Sequence, residues 1–376
     1  MNITDRIGRK INAVLSGKIK PCTAKEYTYQ KVFDSTKFVF PGYKSLLGTV
    51  DFAEYSDDVR EFGVYTLKNG IFVFGAEEVF SAKKNVLEPI TAQHKNPKIG
   101  TLKNLKVQKT IDGTVANLFL SGLEKNYYHF TAECLLRWWI LKNSGIEPDY
   151  YAVYTGTKET SFQNQLLELA GIPKEKILKL PEGTVIQAEK LVAPTLVNNW
   201  KEGSWRGYQA CIKQWLPLWA KDLYSFIISR NTEKDSRKKS PYIYIERDKA
   251  PVRKILNSAE LFECLEKYGF IKVYLEDLTV SEQISLFNNA KIIVSPHGAG
   301  LANLSYCQPK TKVLELYPEF FHEPGLRILS TVMGLDYNYL ICKSPVIENV
   351  QPVAEDILVE DISIVENWIK ERNDKI

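Results

Sequence analysis

Short apolar runs alternate with amphipathic stretches throughout the second half of the chain. The runs are rich in Ile, Val, Leu and Tyr, which is typical of buried strands, and the stretches between them repeat apolar residues at helical spacing. Five runs predict strands, at 241–246, 270–275, 291–295, 312–317 and 336–342. This order predicts a parallel, doubly wound α/β sheet, in which a ligand binds outside the carboxyl ends of the strands.

The predicted helices between these strands carry start and stop signals. The first begins at Asn257, which has Glu260 three residues later, the spacing of a capping box. The second begins at Thr279, with Glu282 in the same relation. Gly269 follows the last apolar position of the first helix and predicts its end.

The amino-terminal half is less regular. The stretch 62–74 is centred on Asn69-Gly70 and predicts a β-hairpin with a tight primed turn. Strand and helix patterns resume between 150 and 193, so an α/β domain with a β-rich start is predicted. The charged run 231–240 predicts a linker. The predicted divisions are a first domain at 1–205, a linker region at 206–240, a second domain at 241–350 and a terminal amphipathic helix within 351–376.

The run 291–303 places a proline, a histidine and two glycines between a predicted strand and a predicted helix. Bare N–H groups at a helix start favour a bound anion, most often a phosphate. His297 is placed to donate to a phosphate oxygen, and Gly298 and Gly300 let the backbone approach a ligand. A tight strand-to-helix connection without a ligand has the same pattern, so the neighbouring residues decide between the two interpretations.

Arg247 and Arg253 follow the first of these strands. A guanidinium can bind a diphosphate at two oxygens, and each charge-assisted hydrogen bond contributes roughly 1.5–3 kcal/mol. Two arginines in the same α/β half as the glycine turn favour ligand binding over a solvated surface. Glu315 interrupts an apolar strand, where it accepts ribose hydroxyls or pairs with Lys312 or Arg327.

These motifs together resemble the signature of the family 61 glycosyltransferases, once catalogued as a domain of unknown function. The matching residues are Arg247, Arg253 and Asn257, then Gln283, then Pro296-His297-Gly-Ala-Gly-Leu-Ala-Asn303, then Val313-Leu-Glu315-Leu. The likeness covers about residues 120–345 and is specific because separated motifs occur in the right order. Members include eukaryotic xylosyl- and N-acetylglucosaminyltransferases and bacterial enzymes that build capsular polysaccharide.

The resemblance implies a GT-B fold, with two Rossmann-like domains facing a central cleft and a last helix that crosses back to the first domain. It implies transfer from a nucleotide-sugar with inversion at the anomeric carbon. It also implies that Arg247 and Arg253 hold the diphosphate, that His297 and Gly298 meet it, and that Glu315 takes the ribose. The full donor-binding set it implies is Arg247, Arg253, Asn257, Gln283, His297, Gly298, Ala299, Gly300, Asn303 and Glu315.

The segment 127–141 lies on the expected acceptor side and also shares in the resemblance. Its helical periodicity places His129, Glu133 and Arg137 on one stripe at successive i,i+4 steps. An inverting transferase needs a base for the acceptor hydroxyl, worth roughly 10²–10⁴-fold in rate. We expect His129 as that base, with Glu133 orienting it or acting in its place. The alternative is a structural Glu133–Arg137 pair.

Further acceptor contacts are expected from Arg137 and from Trp205 and Arg206. The two last residues belong to a loop whose tryptophans either stack on a sugar or pack against their own domain. No metal or other cofactor is expected. No Asp-x-Asp follows a predicted strand, and the four histidines, at 94, 129, 297 and 322, lack zinc-like spacing. Arginines and a helix dipole would neutralise the leaving diphosphate instead.

Composition adds limits on partners and location. Lys and Arg number 49 and Asp and Glu 45, and this net charge of +4 is too small to indicate nucleic acid as a partner. Six cysteines without close pairs favour reduced thiols in a cytoplasmic protein. No apolar run approaches the roughly 20 residues of a membrane span. Residues 1–20 form a basic amphipathic pattern that either lies on anionic lipid or packs on its own domain.

The sequence therefore predicts a hexosyl- or pentosyltransferase that moves a sugar, most simply from a UDP-sugar, to a glycan or lipid-linked glycan. We expect it to build surface polysaccharide at the cytoplasmic face of the membrane. Three alternatives stay open: a polysaccharide pyruvyltransferase of similar fold, a non-catalytic scaffold of a capsule assembly complex, and a carbohydrate-binding module. The last would have little use for Arg247 and Arg253.

Overall fold

The computed structural model describes residues 20–48, 51–90, 105–197, 215–231, 240–345 and 354–372. The strands are β1 Thr28–Phe33, β2 Thr36–Phe40, β3 Tyr55–Val59, β4 Phe62–Val73, β5 Val79–Phe80, β6 Lys109–Asn117, β7 Tyr150–Ala152, β8 Val185–Pro194, β9 Tyr242–Ile245, β10 Ile271–Val273, β11 Ile292–Pro296, β12 Lys312–Tyr317 and β13 Asp336–Ile341. The α-helices are α1 Tyr127–His129, α2 Leu135–Asn143, α3 Phe162–Ala170, α4 Ala220–Arg230, α5 Ser258–Glu266, α6 Val280–Asn289, α7 Gly325–Met333 and α8 Ile362–Arg372. A π-helical turn at Phe130–Cys134 joins α1 to α2, and a 3₁₀ helix at Ala299–Tyr306 follows β11.

The chain divides into two units that are not continuous in sequence. The first unit contains residues 1–36 and 60–201, and the second contains residues 37–59 and 202–376. The sequence assigned 37–59 to the first domain, whereas the structure gives it to the second. The reason is aromatic packing and backbone pairing: the Phe52 ring lies 5.0 Å from that of Tyr339, and Ser45 forms a β-bridge with the same residue.

The first unit is built on a mixed sheet with the strand order β1-β4-β8-β6-β7, and β5 pairs with β4. β1, β4 and β8 are antiparallel neighbours, whereas β8, β6 and β7 run parallel. Inward-facing residues of β4, β6 and β8 form one apolar core, with Phe72, Val115 and Leu191 among its members. The predicted α/β unit with a β-rich start is therefore confirmed.

The hairpin predicted at 62–74 is wrong. Both halves belong to the single strand β4, which pairs with β8 in unbroken register from Val64 opposite Pro194 to Val73 opposite Val185. Asn69 takes a left-handed φ of 52°, so the Asn-Gly pair bends the strand locally without reversing it. Pairing with one long partner strand outweighs the local turn preference.

The second unit contains a five-stranded sheet in the order β10-β9-β11-β12-β13, and all its neighbouring strands are parallel. This is the predicted doubly wound arrangement. In chain order the strands read 2-1-3-4-5, so the direction of winding reverses between β9 and β11. A doubly wound sheet opens a crevice at such a switch point, outside the carboxyl ends of its strands.

The two predicted helix starts have different outcomes. Thr279 and Glu282 form the reciprocal bonds of a capping box at the start of α6, as predicted. Asn257 precedes α5 but makes no side-chain cap bond. Its amide instead donates to the backbone oxygen of Val359 at 2.9 Å and accepts from the N–H of that residue at 3.1 Å. A two-bond pairing with a distant backbone segment outweighs a single cap.

The carboxy-terminal helix and part of the predicted linker belong to the second unit. In α8, Val365, Trp368 and Ile369 are buried in the core cluster that includes Leu261 and Leu265 of α5. This contradicts the expectation that the last helix crosses to the first domain. Helix α4, within the predicted linker region 206–240, carries Tyr224, whose ring lies 6.2 Å from that of Tyr306. The GT-B arrangement of two domains around a cleft stays a prediction.

The described residues contain five of the six cysteines. The five cysteines there are all free, and four of them are buried, at 134, 264, 307 and 342. This agrees with the expected reduced thiols, while Cys211 lies outside the described ranges. The described helices include none with the length and the apolar run that a membrane span requires. The predicted amphipathic segment at 1–20 lies outside the described ranges except for Lys20.

Candidate active site

The predicted donor-binding residues gather at the switch point of the second unit. Arg247 lies two residues beyond the end of β9, and His297 directly follows β11. Arg253 lies in the connection between β9 and α5, and Glu315 lies within β12, paired in register with Ser295 of β11. Parallel pairing brings these strand ends to one edge of the sheet, so residues 68 positions apart in sequence share one crevice.

Arg247 lies directly against the backbone of Gly298. A Cβ atom built on Gly298 would lie 2.4 Å from Nη1 of Arg247, closer than real contacts allow. The φ of Gly298 is 172°, an extended value that any residue adopts, so the glycine is needed for space rather than for backbone conformation. The arginine donates from Nη2 to the backbone oxygen of Val252 at 3.4 Å. Its buried Nε has no acceptor among the described residues.

Arg253 combines backbone strain with a buried charge. Its φ is +57°, which is unusual for a residue with a side chain and is often retained at functional sites. Burial and the neighbouring Arg247 lower the pKa of Arg253 to about 10. Its Nε is also buried without an acceptor among the described residues. Two half-buried guanidiniums that repel each other and keep unused donors are arranged to favour a bound anion.

His297 and Glu315 form a buried dyad. Nδ1–H of His297 donates to Oε1 of Glu315 at 2.5 Å, and the hydroxyl of Tyr337 donates to Oε2. The imidazole stacks on the Tyr317 ring, with centroids 4.9 Å apart and planes at 21°. The carboxylate and the stacked ring fix the imidazole, and they leave Nε2 as the nitrogen for a ligand.

This geometry corrects the role expected for Glu315. Its exposed fraction is 0%, and both of its oxygens already accept hydrogen bonds, so it offers no surface to a ribose. The alternative pairing with Lys312 or Arg327 does not describe it either, because His297 and Tyr337 hold its two oxygens. Glu315 is placed to position His297 rather than to touch the nucleotide.

Gln283 and Asn303 brace the glycine turn. The amide of Asn303 donates to Oε1 of Gln283 at 2.8 Å and to the backbone oxygen of Gly300 at 2.9 Å. Gln283 in turn donates to the backbone oxygen of Leu275 at 2.9 Å. The turn then enters the 3₁₀ helix that begins at Ala299. These two side chains therefore hold the turn in shape, and their predicted contact with a donor stays untested, as does that of Asn257.

Phe321 is a site residue that sequence reasoning missed. It lies in the loop after β12, with its ring 5.4 Å from that of His297 and 5.8 Å from the guanidinium of Arg253. Tyr337 was missed in the same way. Phenylalanines and tyrosines are common throughout this chain, so no local pattern marks either residue. Only the register of β12 and β13 brings Tyr337 beside Glu315.

The expected base lies in the first unit, at an irregular point of a helix. Nδ1–H of His129 donates to Oε1 of Glu133 at 2.6 Å, across the π-helical turn that joins α1 to α2. Turns of this kind occur often at functional sites. Glu133 is buried while 19% of the His129 side chain is exposed. A carboxylate that accepts from Nδ1–H fixes the tautomer in which the neutral imidazole carries its proton on Nδ1 and not on Nε2.

The sequence predicted that Arg137 continues this stripe, and the structure shows that it does not. The π-helical turn carries an extra residue, which rotates the next turn inward and buries Arg137 completely. Its guanidinium donates to the backbone oxygens of Asn117, Phe119 and Pro194. With all its nitrogens engaged and an exposed fraction of 0%, Arg137 is a structural residue and cannot reach an acceptor.

Buried carboxyl groups surround Arg137. Glu77, Glu124 and Glu133 are all close enough to influence its pKa. Burial, followed by the charge of Glu78, raises the pKa of Glu77 to about 8. No sequence pattern predicts this cluster, because its members come from separate segments of the chain. Trp205 and Arg206, predicted to contact the acceptor, lie outside the described residues.

Comparison with known proteins agrees with the motifs. The family model described as Glycosyltransferase 61 matches residues 127–314, which is half of the chain. The chain is similar to the Protein O-linked-mannose beta-1,4-N-acetylglucosaminyltransferase 2 of Mus musculus, with 33% identity over 103 residues, 26% of this chain and 18% of that protein. It is also similar to the Beta-1,2-xylosyltransferase RCN11 of Oryza sativa subsp. japonica, with 26% identity over 93 residues, 23% of this chain and 17% of that protein.

The similarity to these relatives is limited in extent, since it spans less than a fifth of the length of each. The family match is broader and includes the His129–Glu133 pair, both site arginines and the whole glycine turn. The sequence motifs, the parallel sheet that gathers them at one switch point and the family match agree with one another. The chain belongs to the glycosyltransferase 61 family.

Proposed function

We propose that this glycosyltransferase is an inverting enzyme that moves a sugar from a nucleotide-sugar, most simply a UDP-sugar, to a glycan acceptor. The observation that carries the proposal is the pair Arg247 and Arg253. Both are half-buried at the switch point, both keep a buried Nε without an acceptor among the described residues, and the charge of Arg247 lowers the pKa of Arg253. A diphosphate supplies the negative charge and the acceptor oxygens that this pair lacks.

The same residues support the chemistry of the leaving group. As the bond between the anomeric carbon and the phosphate oxygen breaks, negative charge grows on the departing diphosphate. Preorganised arginines and the N–H groups at the start of the 3₁₀ helix stabilise that charge without further reorganisation. His297, held by Glu315 through Nδ1, directs Nε2 to the departing diphosphate. We therefore propose that no metal ion is obligatory.

His129 is proposed as the base. Attack by an acceptor hydroxyl forms the new bond to the anomeric carbon from the side opposite the leaving group, which inverts the configuration. The hydroxyl proton passes to Nε2 of His129, while Glu133 on Nδ1 stabilises the imidazolium that forms. A buried carboxylate on Nδ1 of a partly exposed histidine is the arrangement of a general base with its orienting group, which supports this role.

The printed names of the relatives describe transfer of N-acetylglucosamine in one case and xylose in another. The sugar moved by this chain is therefore left open. We further propose that it acts in surface polysaccharide synthesis in the cytoplasm, with residues 1–20 as a peripheral membrane contact. Binding of the full chain to vesicles rich in anionic lipid, compared with a variant lacking these residues, tests the membrane part.

The proposal is tested by binding and by product formation. Thermal-shift measurements with UDP, GDP, CMP and their sugar conjugates should show stabilisation by one nucleotide class. The preferred UDP-sugar, incubated with a panel of glycans, should give a product whose mass has increased by one sugar. Failure of every nucleotide to bind would overturn the proposal. A mass increase from phosphoenolpyruvate would favour the pyruvyltransferase, and nucleotide binding without any turnover would favour the scaffold.

A further inference from the structure

The first unit contains a cavity of about 380 Å³ that the proposed donor site does not use. Its walls come from the segments that follow β6 and β7, together with residues after β4 and before β8. β6 and β7 are parallel neighbours, so the cavity is bounded by the carboxyl ends of parallel strands, where α/β folds bind their ligands. Its volume lies within the range of roughly 300–1,000 Å³ typical of small-molecule sites.

The lining combines aromatic faces with a few polar groups. Phe74, Phe119 and Tyr154 supply the aromatic part, and the Phe74 and Phe119 rings meet edge to face at 4.9 Å. Lys125 lies at the rim with its ammonium 5.5 Å from the centre of the Tyr154 ring. A sugar ring has apolar C–H groups on its faces and hydroxyls on its edges, so it matches a wall of this composition.

A buried carboxyl group holds one wall of the cavity in place. Glu124 lines the cavity with an exposed fraction of 1%, and its Oε2 accepts from the N–H groups of Leu120 and Gly122 at 3.1 and 2.9 Å. These backbone bonds fix the connection that follows β6, so this wall is preorganised rather than formed by a ligand.

The cavity is coupled to the His129–Glu133 dyad through shared structure. Glu124 precedes the dyad by five residues in the same connection between β6 and α2. Glu124 and Glu133 both influence the pKa of the buried Arg137. That guanidinium also donates to the backbone oxygen of Phe119, another cavity residue. One buried arginine therefore contacts the cavity wall at Phe119 and lies within electrostatic range of the carboxylate of the dyad.

We infer that this cavity is a carbohydrate subsite, which binds one pyranose residue of the acceptor glycan next to the residue that receives the sugar. The inference rests on the proposed function, because it takes the dyad as the acceptor-activating base. Tyr154 stacks on the sugar face, and the polar residues of the lining bind its hydroxyls. The subsite would select the acceptor without touching the nucleotide-sugar.

The test measures sugar binding without any nucleotide present. The full chain is titrated with methyl β-glycosides of glucose, galactose, N-acetylglucosamine and xylose, and binding is followed by saturation-transfer NMR. At least one glycoside should bind, and Tyr154→Ala should weaken it roughly tenfold. Tyr154→Phe, which keeps the ring, should bind nearly as well as the parent. Tyr150→Ala is the matched control, because Tyr150 begins β7, the strand just before Tyr154, but does not line the cavity.

A second variant covers the case in which Tyr154→Ala fails to fold. Thr155→Phe adds volume at the cavity wall without removing a packed ring, and it should abolish glycoside binding. Failure of all four glycosides, or binding that is unchanged in both variants, would overturn the subsite. UDP binding measured in parallel separates the two proposals. UDP binding without glycoside binding removes only the subsite, whereas glycoside binding without any nucleotide binding removes only the donor site.

Discussion

Arg247 and Gly298 are in such close contact that a single methyl group on the glycine would lie 2.4 Å from Nη1 of the arginine. Gly298→Ala must therefore displace the guanidinium from the crevice. We expect UDP affinity to fall about tenfold, equivalent to about 1.4 kcal/mol, measured by calorimetry. Arg247→Ala should cause a similar loss, and the double variant should be little worse than either single variant. Losses that simply add would show that the two residues act independently.

We expect Arg253 to lower the stability of the ligand-free protein and to strengthen its binding of UDP. Its left-handed backbone and its buried, repelled charge are unfavourable without a ligand. Arg253→Gly should therefore weaken UDP binding at least tenfold and leave Tm unchanged or higher by a few degrees. Calorimetry and thermal unfolding measure the two effects. Arg230→Ala, at an exposed position of α4, is the control. A fall in Tm with unchanged UDP affinity would assign Arg253 a purely structural role.

His129 and Glu133 are expected to act as one unit in the transfer step. His129→Ala should leave UDP-sugar binding intact and lower turnover by roughly two orders of magnitude. Glu133→Gln, which keeps the shape of the side chain, should lower turnover as well, and the double variant should resemble His129→Ala. Lys142→Ala in α2 serves as a control on an exposed position of the same helix. Near-normal turnover of His129→Ala would exclude it as the base.

The parallel sheet and the gathering of the residues of the proposed donor site could be predicted from sequence because both follow from local patterns. Strand and helix periodicity fixed the order of elements, and parallel strands end at one edge of a sheet. Arg247 and His297 therefore had to lie near each other once each was placed just beyond a strand end. The capping box at Thr279 was equally local, since both of its partners lie within one turn.

Most of the failures have the opposite character, because they depend on a partner that is distant in sequence. Asn69-Gly70 has a strong turn preference, yet β8 pairs with both halves of β4. Asn257 binds the backbone of Val359, about 100 residues away. The burial of Arg137 depends on one extra residue in a π-helical turn. The hydrophobic periodicity of the sequence does not predict such a turn. The partners of Glu315, His297 and Tyr337, are brought together only by the register of β11, β12 and β13.

We predict that Glu315 affects UDP binding by positioning the imidazole of His297. Glu315→Gln preserves volume but removes the carboxylate that holds Nδ1–H, so UDP affinity should fall severalfold, as for His297→Ala. Tyr337→Phe leaves one buried carboxylate oxygen short of a donor and should cost about 1–3 kcal/mol of unfolding free energy. Its effect on UDP affinity should be smaller. If Glu315→Gln bound UDP normally while His297→Ala did not, the carboxylate would not position the imidazole.

Glu77 makes stability depend on pH with a predictable sign. Burial raises the pKa of Glu77 from 4.5 to about 8, so between these values the folded protein holds a proton that the unfolded chain releases. Stability from this group is therefore lost as the pH rises from about 5 to about 8, by up to about 1.4 kcal/mol per pH unit. Glu77→Gln cannot ionise and should be more stable than the parent at pH 8, with a difference that shrinks towards pH 5. Urea unfolding of both proteins across this range measures the difference. If the difference in stability between the two proteins were the same at pH 5 and at pH 8, Glu77 would already be ionised in the folded protein at pH 5.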